Sequence, residues 1–224
     1  MEKLKILYED NHIIVVEKKP NIPSQSDKTG DIDMLTLVKD YIKEKYKKPG
    51  NVYLGLVHRL DRPVGGIMIF AKTSKAASRL SNQVREKIFK KKYLAVVDGK
   101  FEKNQGTLED YLYKDERHNI SKVVKKEKKN SKLAKLDYKV LKYNPVKDLS
   151  LVEVNLHTGR HHQIRVQLSN FGHSIFGDQK YGTRGKGKQI ALWAYELTII
   201  HPVTKEELTF KDLPEPIGTW CILK

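Results

Sequence analysis

Asp61 is the residue of this chain whose surroundings are best suited to chemistry. It lies in His58-Arg59-Leu60-Asp61-Arg62-Pro63-Val64-Gly65-Gly66, one carboxylate between two arginines. Apolar, strand-like sequence flanks the segment over residues 52–57 and 67–70, which predicts a carboxylate on a tight turn between strands. Guanidinium groups close by favour the ionised form, so Asp61 is expected to stay an anion even in a partly dry cleft. An anionic oxygen at neutral pH serves as a nucleophile or a base. The competing reading is an Arg-flanked turn whose Asp caps the backbone, as Asp often does.

The second such segment is Thr158-Gly159-Arg160-His161-His162-Gln163-Ile164-Arg165-Val166-Gln167-Leu168. A helix is expected over residues 158–171, with Gly172 as its stop. Ile164 and Leu168 are four apart and share a face. Arg165 stands beside that stripe, where it can emerge at the edge of a buried surface and pair with a carboxylate. His157 and His161 have an i, i+4 spacing, and His162 adds a third possible zinc ligand. Against zinc, Thr158-Gly159 breaks the helix that would align them, no HExxH pattern follows, and the lone Cys221 is distant. Residues 177–182 have Walker spacing between glycines but continue with Thr183, and no GxGxxG opens a helix after a strand, so nucleotide hydrolysis and dinucleotide binding are poorly supported. That loop reads as structural, or as a basic lip on an RNA backbone. No Ser/His/Asp or Cys/His arrangement has a recognisable context.

The elements that must position these residues follow from periodicity. Residues 6–8 and 13–16 form a hairpin across the turn 9–11, and Pro20 and Pro23 mark a loop. A helix is expected over 33–46, with Leu35, Val38, Ile42 and Tyr46 on one face and Pro49-Gly50 as its stop. A second is expected over 74–89, with Ala77, Leu80, Val84 and Ile88 on one face and Ser74 as N-cap. Further strands are expected at 93–97, 151–156, 190–200 and 207–210. Residues 114–135 are dominated by Lys and read as a solvated hairpin or a mobile arm. Hairpins outnumber helical crossovers, so the expected class is α+β with a largely antiparallel sheet. With no repeat and no long linker, residues 1–224 are expected to form a single domain.

The chain has 224 residues, enough to bury a proper core, and carries 43 Lys+Arg against 27 Asp+Glu, a net charge of +16. Such an excess implies a polyanionic partner, most commonly nucleic acid. A lysine-rich composition that raises charge everywhere is the plainer explanation. One cysteine excludes a disulfide framework or a cysteine metal site within the chain and suits a reducing compartment. There is no signal-peptide pattern at the N-terminus, and no run approaches the ~20 apolar residues of a membrane span. A cytoplasmic protein with no membrane contact is expected.

Taken together, these motifs resemble those of the RluA-type pseudouridine synthases, in the same order and over nearly the whole chain. Residues 6–20 look like that family's opening hairpin and Lys-Pro loop. His58 to Gly66 is similar to H-R-L-D-R-x-T-S-G, and residues 92–99 to K-x-Y-x-A-x-V-x-G. Residues 158–168 resemble T-G-R-x-H-Q-I-R-x-H-L, residues 175–182 resemble P-I-x-G-D-x-x-Y-G, and His201-Pro202 resembles the late H-P. Two departures stand out: Val64-Gly65 occupy positions where Thr-Ser is usual, and Gln167 stands where His is usual. The opening hairpin starts at Ile6, so an N-terminal S4 RNA-binding domain is not expected.

The resemblance implies a pseudouridine-synthase-like fold: a mixed, largely antiparallel central sheet, flanking helices and a catalytic cleft. It implies isomerisation of uridine in structured RNA, ribosomal or transfer, with no metal, no cofactor and no obligate protein partner. Asp61 would be the essential carboxylate, with Arg165 as its ion-pair partner. Tyr93 would stack on the uracil and help remove the C5 proton. Arg59 would fill the space of the extruded nucleotide or hold its phosphate, with Arg62 and Arg160 as further RNA contacts. Ile164 and Leu168 would floor the pocket, or simply pack the core. A non-catalytic RNA-binding or RNA-chaperone protein on the same fold is the alternative. It has no use for a carboxylate facing a polyanion, and the presence of Asp61 with Tyr93 and Arg165 argues against it.

Overall fold

In chain order the elements of the computed structural model, which describes residues 4–224, are β1 (Ile6–Glu9), β2 (Ile13–Lys18), α1 (Met34–Lys45), β3 (Gly55–Leu56), β4 (Gly65–Ala71), α2 (Ser74–Arg85), β5 (Lys90–Asp98), β6 (Gln105–Asp115), β7 (Ile120–Val124), β8 (Lys132–Asn144), β9 (Leu149–Leu156), α3 (Gln163–Asn170), β10 (Leu192–Ile200) and β11 (Glu207–Lys211), before a short 3-10 turn at Gly218–Leu223. They fall into two compact units, one of Met1–Phe89 with Ala194–Leu213 and one of Lys90–Trp193 with Pro214–Lys224. Among the described residues no helix is long and apolar enough to cross a membrane.

In the first unit the strand order is β1-β2-β4-β10, with β11 added to β10 and β3 to β4. β2 and β4 run antiparallel in a register that sets Ile13 opposite Ala71 and Lys18 opposite Gly66. Every residue of β4 is buried, so it reads as a continuous apolar run rather than an alternation. One face packs Ile13, Val15, Ile67, Ile69 and Ala71 against Ala76 and Leu80 of α2, with Leu197 and Ile199 of β10 beside them.

Asp33 caps α1 by accepting the Thr36 N–H at 3.1 Å. The buried stripe of α1 is Met34, Val38 and Ile42, so Met34 takes the place expected for Leu35. Tyr46 is exposed, and its hydroxyl reaches Glu9 at 2.9 Å.

α2 is shorter than expected and its cap is Thr73, which accepts the Ala76 N–H, rather than Ser74. Its buried residues are Ala76, Leu80 and Gln83, while Val84 and Ile88 are exposed. The Gln83 amide takes the inward position because it satisfies both polar groups of Ile200, donating to its carbonyl at 2.6 Å and accepting its N–H at 2.9 Å. Lys87 then turns the chain with a positive φ of 60°. The strand expected before Asp61 shrinks to Gly55–Leu56.

The second unit is an antiparallel sheet of order β5-β9-β8-β6-β7 with α3 packed on β6 and β7. β6 and β8 go beyond the strands expected from the sequence. In β8 Ala134, Leu136 and Tyr138 are buried and alternate with Lys135, Asp137 and Lys139, a period-two pattern that the lysine density obscures. The basic segment is accordingly folded into the sheet, as the β6–β7 hairpin and the start of β8, and is not an arm.

α3 begins at Gln163, not at residue 158. His162 adopts the left-handed conformation, φ 53°, which an α-helix of L-residues cannot continue through. The Thr158 hydroxyl and the Arg160 N–H both donate to Gln163 Oε1, at 2.8 and 3.0 Å, and close a turn instead. The helix ends before Gly172, φ 93°, as expected.

Candidate active site

Asp61 lies in the connection from β3 to β4, half-buried, with Leu60 and Val64 buried on either side. The turn is tight: the Val64 N–H donates to the Asp61 carbonyl at 2.9 Å. Ser24 clamps its entry, its hydroxyl donating to the Leu60 carbonyl at 2.8 Å and accepting the Leu60 N–H at 3.1 Å. The Asn21 N–H donates to the Arg62 carbonyl at 2.8 Å. His58 Nε2 accepts the Ile69 N–H at 3.2 Å, and its ring packs on Phe89.

Beneath the turn is a residue that the motif reading overlooked. Lys18 is fully buried, and its Nζ donates to the carbonyls of Val64 at 2.6 Å, Arg62 at 2.9 Å and Lys19 at 3.2 Å. Burial pushes its pKa down to about 7; the Asp61 carboxylate pulls it up and Arg62 adds to the lowering. A buried ammonium must be surrounded by acceptors, and two of the three here belong to the loop that carries Asp61. The register that sets Lys18 opposite Gly66 puts it there. Gly66 has φ +120°, and a Cβ on it would lie 2.2 Å from the Ala194 carbonyl, so this exit from the turn accepts only glycine.

The two arginines beside Asp61 do not hold it as the sequence suggests. Arg62 turns its guanidinium to the loop before α1, reaching Thr29 at 3.0 Å, Asp31 in a short contact and Asp27 at 3.7 Å. Arg59 is exposed and forms no ion pair among the described residues. Consecutive residues of a turn point in different directions, so adjacency along the chain does not make contact. Val64, where Thr is usual, is 2% exposed and contributes its carbonyl rather than its side chain.

In the second unit Tyr93 is buried in β5, opposite Val154 of β9. Arg165 is buried in α3, and its Nε and Nη2 grip both carboxylate oxygens of Asp178 at 2.7 Å each. Asp178 also accepts the N–H groups of Lys180 at 2.9 Å and Tyr181 at 3.2 Å. Burial alone would raise its pKa, but the Arg165 guanidinium and the two N–H groups outweigh it and hold the carboxyl below the usual range. The Arg165 guanidinium lies 5.3 Å from the Tyr181 ring. The carboxylate expected at the edge of the α3 stripe is thus present, and Asp178 fills that role within this unit. It belongs to a loop that the sequence reading treats as structural.

Ile164 and Leu168 are both buried in α3. Gln167 is buried too and donates to Asp110 at 2.7 Å, joining α3 to β6. Arg160 is exposed, and its Nε donates to the Leu133 carbonyl of β8 at 2.8 Å. The three histidines considered as zinc ligands have separate partners: His157 pairs with Asp137, His161 with Ser121 and His162 with the Tyr181 hydroxyl.

The fold is that of pseudouridylate synthase domains. The human protein "RNA Pseudouridylate Synthase Domain Containing 4" superposes with a TM-score of 0.78 at 23% identity, covering 94% of this chain and 89% of that one. "RNA Pseudouridylate Synthase Domain Containing 1", also human, gives 0.76 at 26% identity, covering 96% and 84%. Residues 12–170 match the family described as RNA pseudouridylate synthase. The "Uncharacterized RNA pseudouridine synthase YhcT" of Bacillus subtilis is 34% identical over 217 residues, 96% of this chain and 69% of the relative. The "Ribosomal large subunit pseudouridine synthase D" of Nitrosomonas europaea is 31% identical over 229 residues, 96% of this chain and 63% of the relative. This chain belongs to the RNA pseudouridylate synthase family, in its RluA-type branch, and is an RNA uridine isomerase.

Proposed function

We propose that this chain converts chosen uridines of structured RNA to pseudouridine in the cytoplasm, ribosomal RNA foremost, with Asp61 as the catalytic carboxylate. One observation carries the assignment of Asp61: it stands on a turn held from below by the fully buried Lys18 through the carbonyls of Arg62 and Val64. A capping Asp on a solvated turn needs no such support. Ribosomal RNA is favoured because relatives covered over most of this chain are named large-subunit synthases.

The reaction breaks the N1–C1′ bond, rotates the uracil and joins C5 to C1′. C5 loses its proton and N1 gains one, so no electrons are exchanged with any other molecule. Asp61 supplies the anionic oxygen. Tyr93 stacks on the base, and its hydroxyl assists removal of the C5 proton. Arg165 supplies positive charge from a guanidinium oriented by Asp178. Arg59, free of ion pairs among the described residues, is the guanidinium proposed for the RNA backbone. The target nucleotide must leave its stack, at a cost of a few kcal/mol, which favours loops where that cost is small.

The test is pseudouridine mapping of total RNA from cells with the wild-type protein, with Asp61→Asn and with the gene deleted. The expected result is loss of one or a few sites in both altered strains. Persistence of every site in both, together with an inactive purified wild-type protein on RNA from the deletion strain, overturns the proposal.

A further inference from the structure

We propose that the loop joining β7 to β8 is a rigid phosphate grip: a basic tip, pre-folded and fixed to the segment that carries Arg165, that holds the backbone of the RNA without choosing the uridine; β7 and β8 flank β6 on either side. The proposal rests on the synthase reading and adds to it the surface that supplies affinity.

Charge is the first observation. Residues 120–135 contain seven lysines and a single acid, Glu127. Two of the lysines are paired within the sheet, Lys122 with Asp115 at 3.8 Å and Lys135 with Glu109 at 3.3 Å. Lys125, Lys126, Lys129 and Lys132 are exposed and form no ion pair among the described residues. Four ammonium groups in and beside one loop, with only Glu127 among them, repel one another, and a row of phosphates relieves that repulsion.

Order is the second. The tip closes on itself: the Lys128 N–H donates to the Lys125 carbonyl at 3.1 Å, the Ser131 N–H to the Lys128 carbonyl at 3.0 Å, and the Ser131 hydroxyl to the Lys126 carbonyl at 3.1 Å. Lys128 lies over the Tyr113 ring of β6 at 5.1 Å. A charged loop that is already folded loses little freedom on binding, which a mobile arm cannot match.

Attachment is the third. The Ser121 hydroxyl donates to the His161 carbonyl at 2.8 Å, and its N–H to the Tyr181 hydroxyl at 2.7 Å. Arg160 donates to Leu133, the Lys135 N–H to Thr158 Oγ1 at 2.9 Å, and Gln163 Nε2 to the Lys135 carbonyl at 3.1 Å. The strands on either side of the loop are therefore both bonded to residues 158–163, immediately before Arg165. Backbone held by the tip is held in a fixed frame relative to that arginine.

The experiment compares three proteins: wild type, the loop variant Lys125→Gln/Lys126→Gln/Lys129→Gln/Lys132→Gln, and a charge-matched control, Lys43→Gln/Lys47→Gln/Lys75→Gln/Lys87→Gln, whose lysines are exposed elsewhere. Affinity for a fluorescein-labelled RNA stem-loop is measured by anisotropy across a range of KCl. The loop variant is expected to bind about tenfold more weakly or worse, with a log–log salt slope shallower by about 3, as four lost phosphate contacts require. The control is expected to keep the wild-type slope. A wild-type slope in the loop variant, or an equal change in the control, overturns the proposal. Anisotropy needs no turnover, so failure of the synthase reading would appear separately, as absence of pseudouridine from wild-type reactions.

Discussion

Lys18 Nζ donates to the carbonyl of Val64 at 2.6 Å, so the residue three beyond Asp61 is tied to a buried cation 46 positions earlier in the chain. The bond links the end of β2 to the turn before β4 and makes the placement of Asp61 a property of the sheet.

Lys18→Met is expected to separate activity from stability. The three carbonyl bonds contribute on the order of 1 kcal/mol each. Against them stands the cost of burying an ammonium whose pKa falls from 10.5 to about 7, a few kcal/mol by linkage. These terms nearly offset, so urea unfolding should place the variant within about 2 kcal/mol of wild type. Single-turnover C5 proton release should fall about tenfold or more, because a loosened turn misplaces the carboxylate.

The same lysine gives a pH signature. Below about 7 both folded and unfolded chains carry its proton. Between about 7 and 10.5 only the unfolded chain does, so wild-type stability should rise with pH there relative to Lys18→Met, by up to about 1.4 kcal/mol per pH unit. Activity should move the other way: a neutral amine has two hydrogens for three carbonyls, and the wild-type single-turnover rate should drop through about pH 7. Paired unfolding and rate profiles of wild type and Lys18→Met check both; an inflection near 7 that survives in Lys18→Met would assign it to another group.

Asp178→Asn is expected to destabilise strongly. Breaking a buried, bidentate ion pair from one side leaves Arg165 uncompensated and costs about 3–5 kcal/mol. Because the folded-state pKa of Asp178 is depressed, its contribution is present above the ordinary carboxylate pKa of about 4 and is lost as pH falls below it. Acid unfolding of wild type should therefore show a steeper loss than Asp178→Asn. Equal acid limbs in the two proteins would remove this pair from the stability argument.

Local pattern reads well wherever local interactions decide the outcome. α1 lies within one residue of its expected ends because Asp33 caps it and Val38 and Ile42 keep helical spacing. It reads poorly where a distant partner decides. The inward face of α2 belongs to Gln83 because Ile200 needs both of its polar groups. β8 hides behind Lys135 and Lys139, whose charge suggests solvent although the residues between them are buried. The start of α3 shifts because Gln163 Oε1 closes a turn on Thr158 and Arg160. Asp61, Tyr93 and Arg165, the residues proposed for catalysis, are picked out by their motifs. Lys18 and Asp178 are not singled out, since nothing near them in sequence announces Val64 or Arg165 as a partner.

The bonds described from Lys18, Asn21 and Ser24 to the Asp61 turn all end on main-chain atoms, the carbonyls of Leu60, Arg62 and Val64 and the Leu60 amide. Inheritance can rewrite the side chains of such a turn without disturbing its mounting. The mounting reads no side chain at positions 64 and 65, whereas replacing Lys18 removes two of its bonds.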